Sequence, residues 1–509
     1  MNSKNKKSPR QEDKKKNTDR STETSGPFAV ISAKKYGYIV LWTILLLTLM
    51  IRYAEPIKDG DFFWQIEYGR YLWENKTLVP DHGMFSWTPA DTNFVYCAWI
   101  GELILYSFFS IGGLPLLFGL RYLCLMIPLV AVWGYARRLK QEKDIQVFFI
   151  LVVVLLGSYS ASFLKPEMLS MLFMAALSHI YFTVKSSIPK KNDKKILYLL
   201  PVLFLLWVNT HGVFAFGLIV LGFITLGEIL NAFFCPQNCL PPKLLRHLVI
   251  AALLSLVATF VSPYGYTIHL QFVNAFINVT ENLGHQTIMA YHSIFETIGD
   301  PRVHVFELWI IMGSLFILFF SLFSWKKSRW DWAILLLNVC LGTLFAKYMR
   351  STYYWCPFWA MSLLYLGKEF SPHLPRLPKA TVLFRSGLLF GFGFLALQAT
   401  YDALYRPIPG NWFGFGINHR NPVQASEFLK KHRPGNTLYN TYDIGGYLLY
   451  DLFPGYKVFI DQRWLPYRQW YGEYLNFNKG STPLDSFSEK YPFDVAVVDH
   501  RSVNAFGKF

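Results

Sequence analysis

Two aspartates stand one residue apart in the segment KDGDFFWQIEYGRYLWEN, directly after the first long apolar run of the chain. A carboxylate can deprotonate an acceptor hydroxyl or ligate a divalent cation. Asp59 and Asp61 are therefore candidate catalytic residues and, with Mg²⁺ or Mn²⁺ as a cofactor, candidate metal ligands. The aromatic residues that follow are typical of a membrane interface and would hold both acids at the edge of a bilayer. The alternative interpretation is that both are ordinary solvated surface acids.

Further polar residues interrupt apolar stretches. Lys165 and Glu167 flank a proline in SFLKPE, and they either begin a helix or add to the same polar site. Asn209 and His211 break LLWVNTHGVF, which could otherwise run on as one helix. Broken backbone at membrane depth is tolerated only against protein or water, so we expect a cavity here. His211 would be a structural hydrogen-bonding residue, a ligand or a base.

The composition is that of a membrane protein. Of the 509 residues, 53% are hydrophobic, 18% are aromatic and only 16% are charged, whereas charged residues approach a quarter of a soluble domain. The net charge of +16 does not indicate a nucleic-acid partner, because the basic residues are concentrated in the first 35 residues and in short loops between apolar runs. That distribution is a signal of membrane topology.

Apolar runs near the roughly 20 residues that cross a bilayer recur from Tyr36 to Tyr401. We predict about eleven spans, at 36–53, 114–136, 145–164, 167–184, 196–209, 212–234, 246–262, 303–323, 331–348, 352–367 and 381–401. The segment 95–112 is also apolar but carries Glu102, and we expect it not to cross, because all basic loops then share the cytoplasmic side with the N-terminus. These loops are 137–144, 185–195, 241–247, 324–329 and 372–379.

This topology divides the chain into three parts. Residues 1–35 should form a disordered basic cytoplasmic tail, 36–405 a transmembrane domain with a first outer loop at 54–113, and 406–509 a small extracytoplasmic α/β domain. The outer face then collects the polar segments of the sequence. They are the first outer loop, the SFLKPE, NTHG and KYMRS turns, 263–302 and the C-terminal domain.

The C-terminal domain contributes a second group of candidates. The patterns predict helices at NPVQASEFLKKH and RWLPYRQWYGEYLNF, and strands at TLYN, YKVFID and FDVAVV. Polar residues near these elements that could take part in binding are Asn440, Asp443, Asp461 and Arg463. The paired Gly445 and Gly446 predict a tight turn before a helix, which is a structural feature by default.

Arg350 ends an otherwise apolar run in FAKYMRSTYY, with Lys347 one turn before it. Such an arginine either extends to the interface or binds an anion. Because the predicted topology places it on the outer face, against the usual distribution of basic residues, we expect Arg350 to bind phosphate.

Taken together, the aspartate segment, KPE, WVNTHG, the late arginine and NTYDIGGYLLY with VFIDQR resemble bacterial polytopic proteins of the GT-C glycosyltransferase superfamily. This superfamily includes protein O-mannosyltransferases, aminoarabinose transferases and the catalytic subunit of oligosaccharyltransferase. The resemblance implies that Asp59 or Asp61 supplies the catalytic carboxylate and that Lys165 and Glu167 belong to a second outer turn of the site. Asp-Gly-Asp stands where mannosyl- and aminoarabinose transferases have adjacent Asp-Glu, so the identity of the base and the need for a metal stay open.

The expected reaction is transfer of a sugar from a polyprenyl-phosphate donor to an envelope acceptor, which would be a glycan, a lipid or a protein. The phosphate leaves as a stable anion, so one base and nearby cations suffice, whereas glycoside hydrolysis uses two carboxylates. Arg350, Lys165 or a divalent ion would stabilise the departing phosphate, and attack from the opposite face would invert the anomeric centre. We expect the enzyme to work on the outer side of a bacterial inner membrane.

Two other classes of protein fit parts of the same pattern. A transporter or flippase for a lipid-linked anion would also have broken helices and intramembrane polar residues. A non-catalytic scaffold of envelope assembly would use the C-terminal domain as its binding part. Flux without a new glycosidic bond would indicate the transporter, and loss of all function on deletion of 407–509 would indicate the scaffold.

Overall fold

A computed structural model describes residues 53–81, 83–91, 95–141, 164–186, 193–277, 330–347, 351–370, 414–463 and 465–499, with single positions 39, 40, 43, 47, 50, 293 and 507. Arg350 lies outside these residues. So do the predicted spans 303–323 and 381–401, all but the last residue of 145–164, and most of 36–53.

The chain is mostly helical over the described residues. Up to residue 370 the helices are α1 (Asp61–Asn75), α2 (Trp99–Arg138), α3 (Glu167–Lys185), α4 (Asp193–Leu197), α5 (Leu199–Val208), α6 (Phe214–Phe234), α7 (Pro242–Ala258), α8 (Thr267–Ile277), α9 (Trp332–Lys347) and α10 (Thr352–Phe370). The C-terminal part contributes α11 (Val423–His432), β1 (Leu438–Asn440), α12 (Tyr442–Leu452), α13 (Tyr471–Asn478), α14 (Leu484–Lys490) and β2 (Val495–Val497).

Three of the described helices are long and apolar enough to cross a membrane: α2, α3 and α6, with mean hydropathies of 2.0, 1.4 and 1.9. A shorter apolar helix covers Trp332–Leu344. Between them lies a continuous apolar core in which α3 contacts α2, α5, α6 and α10. The predicted count of eleven spans stays a prediction.

The helix α2 joins the disputed segment 95–112 to the predicted span that follows it. Its 40 residues would measure about 60 Å as a straight helix, but the backbone leaves helical geometry at Gly112 and Gly113. Gly113 has φ +60°, a conformation that glycine adopts at little cost. The part before this break is about 20 Å long, shorter than the roughly 30 Å hydrocarbon core. That 95–112 does not cross the membrane stays a prediction.

The C-terminal part is less regular than the sequence indicates. The strands β1 and β2 pair in parallel, with Leu438 opposite Val495, and β2 is only half-buried. The predicted strand at YKVFID is wrong as a regular strand: only Val458 forms a bridge, and its partner is Ser86 of the first outer loop. The predicted helix at RWLPYRQWYGEYLNF begins at Tyr471, after a short 3₁₀ turn at Leu465–Tyr467 that contains a proline.

The first outer loop and the C-terminal part share one apolar core. Trp64 and Tyr68 of α1 are buried in the same cluster as Ile444 and Leu448 of α12. The ring of Phe63 also lies edge-on to a tyrosine of α12, with centroids 4.8 Å apart. Because α1 packs against α12 through these side chains, the start of α1 and the residues just before it, which carry the two aspartates, have a fixed position.

Candidate functional site

Lys165 lies between the two aspartates. Its Nζ donates to Asp59 Oδ2 at 2.9 Å and to Asp61 Oδ2 at 3.2 Å. The three side chains retain 13%, 21% and 28% of their surface, respectively, so the cluster is largely enclosed but can be reached from outside the protein. The structure thus joins the first outer loop to the KPE turn by a contact between residues 106 positions apart in the chain.

Local hydrogen bonds set the orientation of both carboxylates. The backbone N–H of Asp61 donates to Asp59 Oδ1 at 3.1 Å, and the indole of Trp64 donates to Asp61 Oδ1 at 3.0 Å. Asp61 is also the first residue of α1, where the helix dipole favours a negative charge. All four carboxylate oxygens therefore accept a hydrogen bond from a protein donor.

A third carboxylate stands at the rim of this cluster. Glu167 Oε2 lies 3.6 Å from Lys165 Nζ, and the hydroxyl of Tyr354 donates to Glu167 Oε1 at 3.3 Å. Glu167 begins α3 and Tyr354 belongs to the first turn of α10. This contact brings the chain that follows the KYMRS turn to the same site. Arg350, four positions before Tyr354, is outside the described residues.

The start of α2 fits between two of the polar turns. A Cβ added at Gly101 would lie 2.6 Å from Pro166 Cβ and 3.0 Å from the carbonyl of Thr210. The N–H of Ile100 also donates to the carbonyl of Asn209 at 3.0 Å. Because only a glycine fits this contact, Gly101 fixes the distance between the KPE and NTHG turns.

Asn209 has a structural role. Its side-chain amide donates to the carbonyls of Leu205 and Val261, each at 2.9 Å, and its oxygen accepts from the indole of Trp99 at 2.9 Å. The residue therefore ties the end of α5 to the segment after α7 and to the start of α2.

His211 is held by a short relay of hydrogen bonds. Trp207 Nε1 donates to Ser170 Oγ at 2.9 Å, and the same oxygen lies 3.0 Å from His211 Nδ1. An indole N–H can only donate, so Ser170 Oγ accepts from Trp207 and forms a second hydrogen bond with the imidazole of His211. These contacts give His211 a fixed position in the NTHG turn. Ser170 is one turn along α3 from Glu167.

The C-terminal part closes over the aspartate motif through its paired glycines. These lie inside α12, so the predicted turn before a helix is wrong. A Cβ at Gly446 would stand 2.3 Å from the carbonyl oxygen of Gly60, and one at Gly445 would stand 2.0 Å from that of Ile460. Gln462 completes the contact: it accepts from the Gly446 N–H at 2.8 Å and lies against Gly60.

Asp461 and Arg463 form a buried ion pair. Arg463 Nε donates to Asp461 Oδ1 at 2.6 Å, and the guanidinium also donates to the hydroxyls of Tyr467, at 2.7 Å, and Tyr68. Side-chain exposures of 2% for Arg463 and 0% for Asp461 put the pair out of reach of a substrate. The pair connects α1 to the C-terminal part through Tyr68. Asn440 acts within the C-terminal part, where its amide donates to the carbonyl of Ile460 at 2.7 Å.

Asp443 is the exposed member of the predicted C-terminal group. Its backbone carbonyl accepts from Gln462 Nε2 at 2.5 Å. The side chain lies at the surface of α12, next to the residues that cover Gly60.

The surroundings of Asp61 make its carboxylate more basic. Burial and the neighbouring Asp59 carboxylate raise the pKa of Asp61 to about 6, although Lys165 and the Trp64 hydrogen bond act in the opposite direction. A carboxylate with a pKa near the working pH is a stronger base than an ordinary aspartate and is still largely ionised at neutral pH.

The fit of a divalent cation can be tested on the same residues. Within the described parts of the chain, no three His, Cys, Asp or Glu side chains are grouped as a metal ion requires. The two aspartates that could share a cation hold the ammonium group of Lys165 between them instead. As arranged, the residues do not fit a divalent metal.

Several residues of the site were not expected from the sequence. Trp64 carried a usable signal, because a residue three positions into a helix faces the side chain at its start. Ser170, Tyr354 and Gln462 carried none, since each acts through a contact between distant parts of the chain.

Comparison with solved structures identifies the fold. The archaeal oligosaccharyltransferase AglB from Archaeoglobus fulgidus, in complex with an inhibitory peptide and a dolichol-phosphate, matches with a TM-score of 0.56 and 13% identity over 84% of this chain and 65% of that one. The Archaeoglobus fulgidus oligosaccharyltransferase in complex with Zn and sulfate matches with a TM-score of 0.53 and 10% identity, over 83% and 62%. ArnT from Cupriavidus metallidurans in the apo state matches with a TM-score of 0.50 and 12% identity, over 90% and 95%.

These matches show the fold and, at 10 to 13% identity, the fold alone. The chain is folded like the archaeal oligosaccharyltransferase and ArnT, as the resemblance of its motifs predicted, and three of its described helices are long and apolar enough to cross a membrane. It spans just under two thirds of the length of the oligosaccharyltransferase chains. No protein-family description matches the sequence, and no curated protein does so either.

Proposed function

We propose that this protein is a glycosyltransferase that moves a sugar from a polyprenyl-phosphate donor to a hydroxyl of an envelope acceptor on the extracytoplasmic side of the bacterial inner membrane. The observation that carries the proposal is the cluster of Asp59, Asp61 and Lys165, formed where the first outer loop, the KPE turn and the C-terminal part meet. The fold supports it, since two matched structures are oligosaccharyltransferases and one of them contains a dolichol-phosphate.

In the proposed reaction Asp61 is the base. Its carboxylate accepts the proton of the acceptor hydroxyl, while the acceptor oxygen bonds to the anomeric carbon of the sugar. The bond between that carbon and the phosphate oxygen breaks, and polyprenyl phosphate leaves with the electron pair. No general acid is required, because the leaving phosphate is already a stable anion. Attack opposite the leaving group inverts the anomeric centre.

Asp59 and Lys165 prepare Asp61 for this step. Lys165 holds both carboxylates in place and offsets part of their charge, which reduces repulsion of an approaching phosphate. Its ammonium is shared among three carboxylates, so the departing phosphate needs a further cation. Arg350 is the proposed residue for that role, because it precedes by four positions a tyrosine that contacts Glu167.

The test is glycan transfer by the full chain in membranes, with Asp61→Asn and Asp59→Asn variants. We expect Asp61→Asn to lower the rate by about 10² to 10⁴, the usual contribution of a general base, and Asp59→Asn to lower it less. Asp485→Asn, an exposed aspartate of α14, is the matched control. Full activity of the Asp59 and Asp61 double variant at normal membrane levels would refute the proposal. Lipid-anion flux without a new glycosidic bond would identify a transporter instead.

A further inference from the structure

The cluster at the KPE turn places three carboxylates around an amine, but it does not group them closely enough to hold a metal ion. Asp59, Asp61 and Glu167 all direct an oxygen at Lys165 Nζ, at 2.9, 3.2 and 3.6 Å. Mg²⁺ and Mn²⁺ also take carboxylate oxygens as ligands, but at about 2.1 Å. The lysine occupies the position that such an ion would need.

Each carboxylate oxygen of the two aspartates already accepts a hydrogen bond from the protein. The two Oδ2 atoms accept from Lys165, Asp59 Oδ1 accepts from the backbone of Asp61, and Asp61 Oδ1 accepts from Trp64. A divalent ion bound to both aspartates would have to displace the ammonium group or lie beside it. Two cations that share these ligands would repel each other across a largely enclosed site.

We infer that Lys165 is the resident cation of this site and takes the place of a divalent metal ion. The protein then binds no divalent cation at Asp59 and Asp61 while Lys165 is present. Loss of the lysine converts the three carboxylates into a metal site, because an uncompensated cluster of negative charge recruits a cation once its ligands close by about 1 Å. The catalytic part of this inference rests on the proposed function, but the binding part does not.

The experiment is a Mn²⁺ titration of the full-length purified protein, followed by electron paramagnetic resonance of the free ion. We expect Lys165→Ala to bind one Mn²⁺ at least about tenfold more tightly than the unmodified protein, a difference of about 1.4 kcal/mol. The gain should disappear in Lys165→Ala combined with Asp61→Asn. Lys430→Ala removes a lysine that is paired with Asp451 at the surface, and it should leave Mn²⁺ binding unchanged.

Two results would overturn the inference. One is Mn²⁺ binding by the unmodified protein that Asp59→Asn or Asp61→Asn abolishes. The other is a folded Lys165→Ala protein with no gain in affinity. Lys165→Met keeps the length of the side chain and replaces Lys165→Ala if that variant is unstable. If neither variant folds, the Mn²⁺ titration of the unmodified protein tests the inference alone, and we expect no Mn²⁺ bound at Asp59 and Asp61.

Activity separates this inference from the proposed function. Transfer by the unmodified protein should be unaffected by a chelator, and residual transfer by Lys165→Ala should depend on added Mn²⁺. If Mn²⁺ binding behaves as expected but no donor supports transfer, the inference that Lys165 replaces a metal ion holds and the glycosyltransferase proposal fails. If transfer is observed and requires a metal in the unmodified protein, the inference fails and the glycosyltransferase proposal stands.

Discussion

Gly446 of α12 lies against the backbone of Gly60, so closely that a Cβ on Gly446 would stand 2.3 Å from the Gly60 carbonyl oxygen. Gly60 separates the two aspartates of the proposed site, and Gly446 lies 386 residues further along the chain. The geometry of the aspartates therefore depends on the C-terminal part, although neither carboxylate comes from it.

Substitution of Gly446 by alanine should lower activity more than it lowers protein levels. The added methyl group has to displace the Gly60 backbone or Gln462, at a cost of about 1 to 3 kcal/mol. We expect transfer per folded molecule to fall at least about tenfold, because the Asp59 and Asp61 carboxylates shift with Gly60. The measurement is initial transfer rate normalised to folded protein. Gly222→Ala is the control, since a Cβ there meets nothing within 4 Å, and equal rates for both variants would contradict the account.

The rate of transfer should rise with pH through about 6 and then level off. Asp61 acts as a base only when ionised, and its pKa lies at about 6, so activity is lost as the pH falls below that value. The measurement is kcat/KM from about 1.5 pH units below to about 2.5 pH units above this pKa, with the Asp485→Asn variant run in parallel. A flat profile over this range would exclude Asp61 as the base.

Two substitutions should move this profile in opposite directions. Trp64→Phe removes a hydrogen bond to the ionised Asp61, so the pKa of that carboxyl rises and the inflection moves to higher pH. Asp59→Asn removes a neighbouring negative charge, so the pKa of Asp61 falls and the inflection moves to lower pH. Trp73→Phe, an exposed tryptophan of the same helix, is the control. Shifts in the same direction for both variants would show that another group titrates.

A second lysine cluster should contribute to the stability of the protein and not to the transfer reaction. Lys185 Nζ contacts Glu228 Oε1 at 2.6 Å and Asp331 Oδ2 at 3.0 Å, at the opposite end of α3 from Glu167. Lys185→Met leaves two buried carboxylates without their cation and should lower the free energy of unfolding by about 3 to 5 kcal/mol.

Thermal unfolding of the purified protein measures this effect. Lys490→Met, which removes a lysine from an exposed pair with Glu473, should cost less than about 1 kcal/mol. Addition of Glu228→Gln and Asp331→Asn to Lys185→Met should recover part of the loss. A large fall in transfer per folded molecule for Lys185→Met would show that this end of the protein takes part in the reaction.

The acidic motif and the turns that meet it could be predicted from the sequence, because few polar residues interrupt its apolar runs. The basic loops, assigned to the cytoplasmic side, leave these polar turns together on the other side. The contact of Lys165 with both aspartates depends on the approach of two distant segments, which local pattern does not encode. The predicted turn at Gly445 and Gly446 was wrong for the same reason. Both glycines lie inside α12, where the lack of a side chain lets the backbones of Ile460 and Gly60 approach the helix closely. A pair of glycines predicts a turn only when nothing must pack against it.

In the C-terminal part, too, long-range contacts decide what the local sequence pattern leaves open. YKVFID has the β-branched and aromatic residues of a strand, but its one bridge is to Ser86 of the first outer loop. Asp461 and Arg463 looked like binding residues in the sequence, yet the structure pairs them with each other and with Tyr68. Burial is a property of the whole fold, and the type of residue alone does not reveal it.

The most direct test of the central claim is a density map of the full chain with polyprenyl phosphate bound. We expect the phosphate to lie beside Asp59, Asp61 and Lys165, with the lipid chain directed into the membrane domain. A phosphate bound at the other end of α3, near Lys185, or one separated from Asp61 by the closed contact of Gly60 with α12, would contradict it.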